Sequence, residues 1–358
     1  MRRLIFSRTN HARAIVMRTG SDQETMPRYN HYVPEFVLNY FATRGTVCVF
    51  DKHTSKNFKL PTKQGMCERD FNNVYVEDVV VSFENRFTHI ENLAAPIIAE
   101  IVQRKTLANL NPMSIATLNM FTALQLLRSK SRRLDQVAIT NEVRRRWPDV
   151  QINPHPEKID DSEFQKLSSL RITFNLLERL TRHLVVKHMF LMVRDCKDNL
   201  YISDEPLVMH NERTFGPYGN IGLAVPGIEI YYPFSPEVVL AYFCPSSLKQ
   251  IEEVQTKAER QASNFFAKKI LSRFGMSEID VSALIEMRAK ITRSKDYYAL
   301  LKQHRVVPMD TQNVLYLNSL QLISSYRFIA AKDSDFAFAR RALRERPHWK
   351  EGRRVKVT

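Results

Sequence analysis

Glycine is scarce in this chain: nine of 358 residues. Neither G-x-G-x-x-G nor G-x-x-x-x-G-K-[ST] occurs, so it lacks the glycine-rich turns that cradle nucleotide phosphates on backbone N–H groups. No G-x-S-x-G is present, which argues against a hydrolase nucleophile elbow. The four cysteines, Cys48, Cys67, Cys196 and Cys244, are far apart and form no C-x-x-C pair. That spacing excludes a zinc ribbon and leads us to expect a reduced, cytoplasmic protein without a disulfide framework. No apolar run approaches the ~18 residues of a membrane span. We find no internal repeat and no low-complexity tract.

What is abundant is positive charge. The formal net charge is +15, and it is clustered. Residues 1–21 carry five arginines and no acid, and residues 340–358 carry eight basic side chains against two acids. Between them, Arg128, Lys130, Arg132, Arg133, Arg144, Arg145 and Arg146 face only Asp135 and Glu142. Clustered charge of this kind suits a phosphate backbone, so RNA or DNA is the expected partner; solubility alone is the bland alternative.

The stretch around which the chain is organised is Asn30-His31-Tyr32-Val33-Pro34. The proline holds Val33 extended and suits the first turn of a helix. His31 then lies near the positive end of that helix, a field that disfavours the imidazolium and leaves a ring able to accept a proton or bind a metal. The simpler reading is a histidine that hydrogen-bonds local backbone. Two other stretches stand out. Ser203-Asp204-Glu205-Pro206 falls at a strand end, where Ser or Asp commonly bonds its own turn. Asn318, Gln321 and Ser325 form a polar stripe on a late helix, suited to binding buried groups.

His-Tyr-Val-Pro, Ile-Ser-Asp-x-Pro, the Gly-Ile-Glu-Ile-Tyr-Tyr-Pro-Phe-Ser-Pro block at 227–236 and the Asn-x-x-Gln helix occur here in that order. In this the chain resembles a bacterial family of unknown function, over roughly Pro27 to Ala331. The resemblance implies that His31, Tyr32, Pro34, Ser203, Asp204, Pro206, Asn318 and Gln321 belong to a shared pattern. It implies no activity.

Periodicity places these motifs on elements. Helices are expected from Pro34 to Thr43, from Ser82 as a cap, from Asn111-Pro112, over 161–187, 246–273 and 277–290, and from 310 to 331. Phe83, Phe87, Ile90, Ala94, Ile97 and Ile101 make a core stripe. On the same helix Glu84 and Glu91 share a face, as paired carboxylates for a metal or acid–base chemistry do; two solvated acids are commoner. Strands are expected at 46–50, 58–60, 188–194, 200–203, 207–209, 228–232 and 238–243. The fold class is α+β, mainly helical, with a central antiparallel sheet of five to seven short strands. We expect a flexible basic arm over 1–26, one domain over 27–335 with a helical lobe at about 105–187, and a basic tail over 336–358.

Two functions fit. One is a nucleic-acid-acting hydrolase, a nuclease-like toxin or phage-defence effector, with a divalent metal as a candidate cofactor. His31 would be base or metal ligand, Asp204 its partner, and Glu84 or Glu91 a second carboxylate. Tyr32, Ser203, His210, Asn211, Asn318 and Gln321 would line the site, and Arg128, Arg132, Arg133, Arg144, Arg145 and Arg146 would hold phosphates. Arg182-His183 and His188 also fit the permissive Arg-x(4–6)-His pattern of one class of metal-independent ribonucleases. The other function is a non-catalytic nucleic-acid or protein binding module in which the motifs are architecture.

Overall fold

The computed structural model describes residues 15–18, 29–76, 79–147, 161–215, 219–271 and 295–352, with residues 286 and 292. The chain begins with β1 (Ile15–Arg18), β2 (Tyr29–His31) and a short α1 (Glu35–Tyr40). Next come β3 (Ala42–Thr43), β4 (Thr46–Asp51), β5 (Lys56–Pro61), β6 (Cys67–Arg69), β7 (Asn73–Val76) and β8 (Val79–Ser82). Four helices follow: α2 (Glu84–Arg104), α3 (Pro112–Leu127), α4 (Lys130–Arg146) and α5 (Ser162–Val185). The second half holds β9 (His188–Arg194), β10 (Ile202–Ser203), β11 (Val208–His210), β12 (Glu229–Ser235), β13 (Val238–Phe243) and α6 (Pro245–Leu271). It closes with β14 (Val306–Met309), α7 (Thr311–Ser324), β15 (Phe328–Ala331) and α8 (Ala337–Glu345).

The α+β class holds, but the described strands form several sheets rather than one. The order in the first five-stranded sheet is β11-β12-β13-β9-β14. It is antiparallel except for β14, which runs parallel to β9. A second five-stranded sheet runs β10-β15-β4-β3, with β5 also on β4. The six residues of β13 are all buried, because the first sheet is covered on both faces. On one face Tyr232, Leu240 and Leu191 join the main core with Phe121 and Leu124 of α3. On the other, Val239, Ala241 and Phe190 pack with Val314, Leu317 and Leu320 of α7.

Helix α3 is therefore central, not part of a separate lobe. Its start follows the sequence: Asn111 Oδ1 accepts the Ser114 N–H at 2.8 Å, with Pro112 in the first turn. Every residue from Phe121 to Ser129 is buried, and the Phe121 ring stacks on Tyr232 with centroids 5.9 Å apart. In α2 the stripe is Phe87, Ile90, Ala94, Ile98 and Ile101, with Ile97 only half-buried. Ser82 is not its N-cap residue, since that place is taken by Phe83; the Ser82 hydroxyl binds Asn73 at 2.8 Å.

Several boundaries differ from expectation. The helix expected over 310–331 stops at Ser324, and Phe328–Ala331 becomes β15, paired with Cys48–Asp51 of β4. The expected arm is partly ordered: Ile15–Arg18 pairs antiparallel with β8, and the rest of 1–26 lies outside the described residues. The expected tail is folded over 336–352, where Phe336, Ala339, Leu343 and Trp349 pack with Phe50 and Tyr201. Lys52 holds this segment: its buried ammonium donates to the carbonyls of Leu322, Ser325 and Trp349. The helix expected at 277–290 lies outside the described residues, Glu286 apart.

Candidate functional site: a junction of shared motifs

The three motif stretches meet at the junction between α3 and α4. Arg128 ends α3, Ser129 caps α4 through Arg132 N–H, and Lys130 opens it. Each of the three reaches a different part of the chain.

Arg128 reaches the first motif. Its guanidinium is 1% exposed and pairs with Glu91. It also donates to the His31 carbonyl and lies over the Phe87 ring at 5.2 Å. Glu84, two helical turns before Glu91, accepts from Asn72 Nδ2 at 2.8 Å. Burial pushes its pKa up, against the field of Arg128 and that amide. The sequence spacing of Glu84 and Glu91 thus does put both carboxylates toward one cation. The His31 ring is half-buried, with Nε2 3.3 Å from the Thr62 carbonyl. Its pKa is lowered first by burial and further by Arg128; the Thr62 contact, Glu35 and Glu91 oppose this. Burial is thus the leading cause, rather than the dipole of α1, which has only six residues.

Ser129 reaches the second motif: its hydroxyl donates to Glu205. Glu205 is 5% exposed, and burial raises its pKa to about 7 against Arg132, Ser129 and Ser131. Its neighbour Asp204 turns the other way. The Asp204 carboxylate accepts the N–H groups of Tyr326, Arg327 and Phe328 at 2.7, 2.7 and 2.8 Å. Burial nonetheless raises its pKa, against those donors and Lys52. Lys130 pairs with Glu68 and sits 5.2 Å over the Tyr326 ring, in the turn that Asp204 holds.

The late amides complete the frame. Gln321 Oε1 accepts Ser203 N–H at 2.9 Å and Ser203 Oγ at 2.6 Å, and Gln321 Nε2 donates to Pro206 O at 2.8 Å. Asn318 Oδ1 accepts Tyr201 N–H at 2.7 Å, and its Nδ2 donates to Asn199 O at 2.9 Å. Two amides of α7 thus hold residues 199–206 in place. Tyr32 is the link between motifs: it is buried against Phe71, and Asp204 and Glu68 help burial to raise its pKa.

Not every candidate joins the junction. Asp204 does not orient His31: its carboxylate is occupied by backbone, and the described His31 ring contact is with Thr62. Asn211 braces its own loop, donating to Asn220 O and Pro226 O at 3.0 Å. His210 lies edge-on to Tyr316, centroids 5.6 Å apart. Arg133 is tied inward, over Phe71 at 3.6 Å and onto the Phe71 carbonyl at 2.6 Å; burial lowers its pKa to about 10. Arg132 is half-buried, and only Arg144, Arg145 and Arg146 stand exposed. Arg182 pairs with Glu178 on the surface, while His188 Nε2 contacts Leu301 O at 2.8 Å, so the two ribonuclease-pattern residues are engaged apart. Among the described residues no group of three or more His, Cys, Asp or Glu side chains converges as a metal site.

Sequence reasoning missed Glu205, Ser129 and Lys52. The serine after Arg128 was a legible cap signal. Nothing local marks Glu205 or Lys52, whose partners are over 70 residues away. Also unforeseen are Gln125 and Tyr232, buried at 1% and 0% exposure. The Gln125 amide and the Tyr232 hydroxyl have no hydrogen-bond partner among the described residues.

No curated protein and no solved structure matches the chain. A family model described as a protein of unknown function, DUF4238, matches residues 29–335, which takes in all three motif stretches and the junction they build, and the chain belongs to that family.

Proposed function

We propose that the chain is a non-catalytic nucleic-acid-binding module in which the motifs are structural and exposed arginines supply the binding surface. One observation carries this reading: the motif side chains direct their polar atoms at main-chain groups of their own chain. Asp204 holds three N–H groups, Gln321 and Asn318 hold residues 199–206, and Arg128 holds the His31 carbonyl. A carboxylate that is 2% exposed and already accepts three hydrogen bonds is poorly placed to take a substrate proton. Arg144, Arg145 and Arg146 of α4, with Arg341 and Arg344 of α8, are exposed and suit a phosphate backbone.

Labelled RNA and DNA incubated with purified protein, with and without divalent metal, test the reading. The expected result is binding that weakens as salt rises, without cleavage. Cleavage by the wild type that disappears in His31→Ala would overturn it.

A second reading, a nucleic-acid-acting hydrolase of toxin or phage-defence type, has one observation in its favour. His31, Glu84 and Glu91 gather about Arg128, and burial shifts the imidazole pKa down and the Glu84 pKa up. A base and an acid whose pKa values are shifted by their surroundings form the kind of pairing that acid–base hydrolysis uses. The same cleavage assay decides between the two.

A further inference from the structure

We propose that the groove between α4 and α5 takes a single-stranded nucleic acid, bases in the groove and phosphates on the exposed Arg144, Arg145 and Arg146 of α4. The proposal rests on the reading of the chain as a nucleic-acid-binding module and names the form of nucleic acid it takes.

Residues four apart share a helix face. Two adjacent rows of α4 read Arg132, Gln136, Thr140, Arg144 and Arg133, Val137, Asn141, Arg145. In each row the middle is uncharged and both ends are arginine. Opposite the middle stand Phe164, Ser168 and Ile172 of α5, and none of the described residues that line the groove so formed is charged. From Arg132 to Arg144 the helix rises about 18 Å, the length of a few nucleotide steps of roughly 3.4 Å or more.

The groove also contains unused hydrogen-bonding capacity. Gln136 Oε1, in the groove lining, is a buried atom without a hydrogen-bond partner among the described residues. At the C-terminal end of α4 Arg145 and Arg146 share Glu142. The Arg145 side chain is largely exposed, an ion pair at the surface is weakly held, and its guanidinium can exchange the carboxylate for a phosphate.

The chemistry of this lining selects the occupant. A nucleobase offers a mixed donor and acceptor edge together with a flat face. Three amides, three hydroxyls and the Phe164 ring match both, and base–aromatic stacking is indifferent to sequence. A duplex keeps its bases stacked and presents only groove edges, so it cannot place a base between two helices. An acidic peptide would need cations inside the groove, and the described residues of its lining supply none.

The test is fluorescence anisotropy on the full chain, with a fluorescein-labelled 12-residue RNA, the DNA of the same sequence and the corresponding duplex. Single strands should bind at least tenfold more tightly than the duplex. Phe164→Ala should weaken single-strand binding about tenfold, the loss of one stacked base. Asn141→Glu, at an exposed position where folding is not at risk, should weaken it at least as much. A preference for RNA or for DNA supports the groove and identifies the sugar. Equal affinity for the duplex, or an Asn141→Glu protein that binds single strands like wild type, overturns the groove and leaves nucleic-acid binding standing. No affinity for any of the three probes overturns the binding reading and the groove with it.

Discussion

The two ends of one basic segment have opposite fates. At one end Arg128 is 1% exposed, locked between Glu91 and the His31 carbonyl. At the other, Arg144, Arg145 and Arg146 are exposed, two of them sharing Glu142. Sequence shows seven like charges in a row of nineteen residues. The structure divides them into a buried cation that ties α2 and the first motif to the end of α3 and an exposed cationic surface. A charge cluster is therefore not one feature: its meaning is set residue by residue, by burial and by what lies opposite.

The largest test of that contrast is Arg128→Met. Removing one member of a buried pair leaves the other without its counter-ion and the His31 carbonyl without its donor. We expect a loss of about 3 kcal/mol in urea unfolding at neutral pH. A loss under about 1 kcal/mol would place Arg128 with the surface arginines and erase the contrast.

Glu205→Gln sharpens it through pH. Folded Glu205 holds its proton to about pH 7, above the ordinary 4.5. Between those values the folded state binds a proton that the unfolded state has lost. The stability this lends is complete below pH 4.5 and is lost as pH rises through 7. Glutamine mimics the protonated form. The variant should therefore gain on wild type as pH rises from 4.5 to 7.5, by at most about 3 kcal/mol. Parallel stability curves across that range would show that Glu205 is not held as a buried acid against Ser129 and Arg132.

The smallest stability effect belongs to the outer end. Replacing Arg144, Arg145 and Arg146 together with glutamine should leave the unfolding midpoint in place, as surface changes do. The same variant should bind nucleic acid more weakly, with a shallower dependence on salt. A drop in midpoint as large as that of Arg128→Met would make the outer end structural as well.

Much of the fold could be read locally. β9 at 188–194 and β13 at 238–243 have the bounds their apolar runs suggest, because strands buried on both faces need continuous apolar sequence. Asn111-Pro112 marks the start of α3, since capping needs only the next three residues. The reading failed where the deciding partner is remote. Leu322, Tyr326 and Ile329 keep a helical spacing, yet the backbone of 326–328 is taken by Asp204 and 328–331 is paired with β4. β14 was not seen because its parallel partner, β9, lies more than a hundred residues earlier. In the candidate site, Glu84 and Glu91 were legible as a pair because helical spacing alone puts them on one face. Asp204 was marked as important, but its task of holding a turn could not be told from catalysis until its three donors were known.

By itself, then, the amino-acid sequence determined the α+β class and the positions of most helices and strands, and it singled out polar residues, because capping, periodicity and composition act over a few residues. Only the tertiary structure decided what those residues do. Whether Arg128 is core or surface, whether Asp204 holds protons or backbone, and whether α4 faces α5 across a groove depend on groups brought together from far along the chain, and burial changes the energy of a charge more than any neighbour in sequence can.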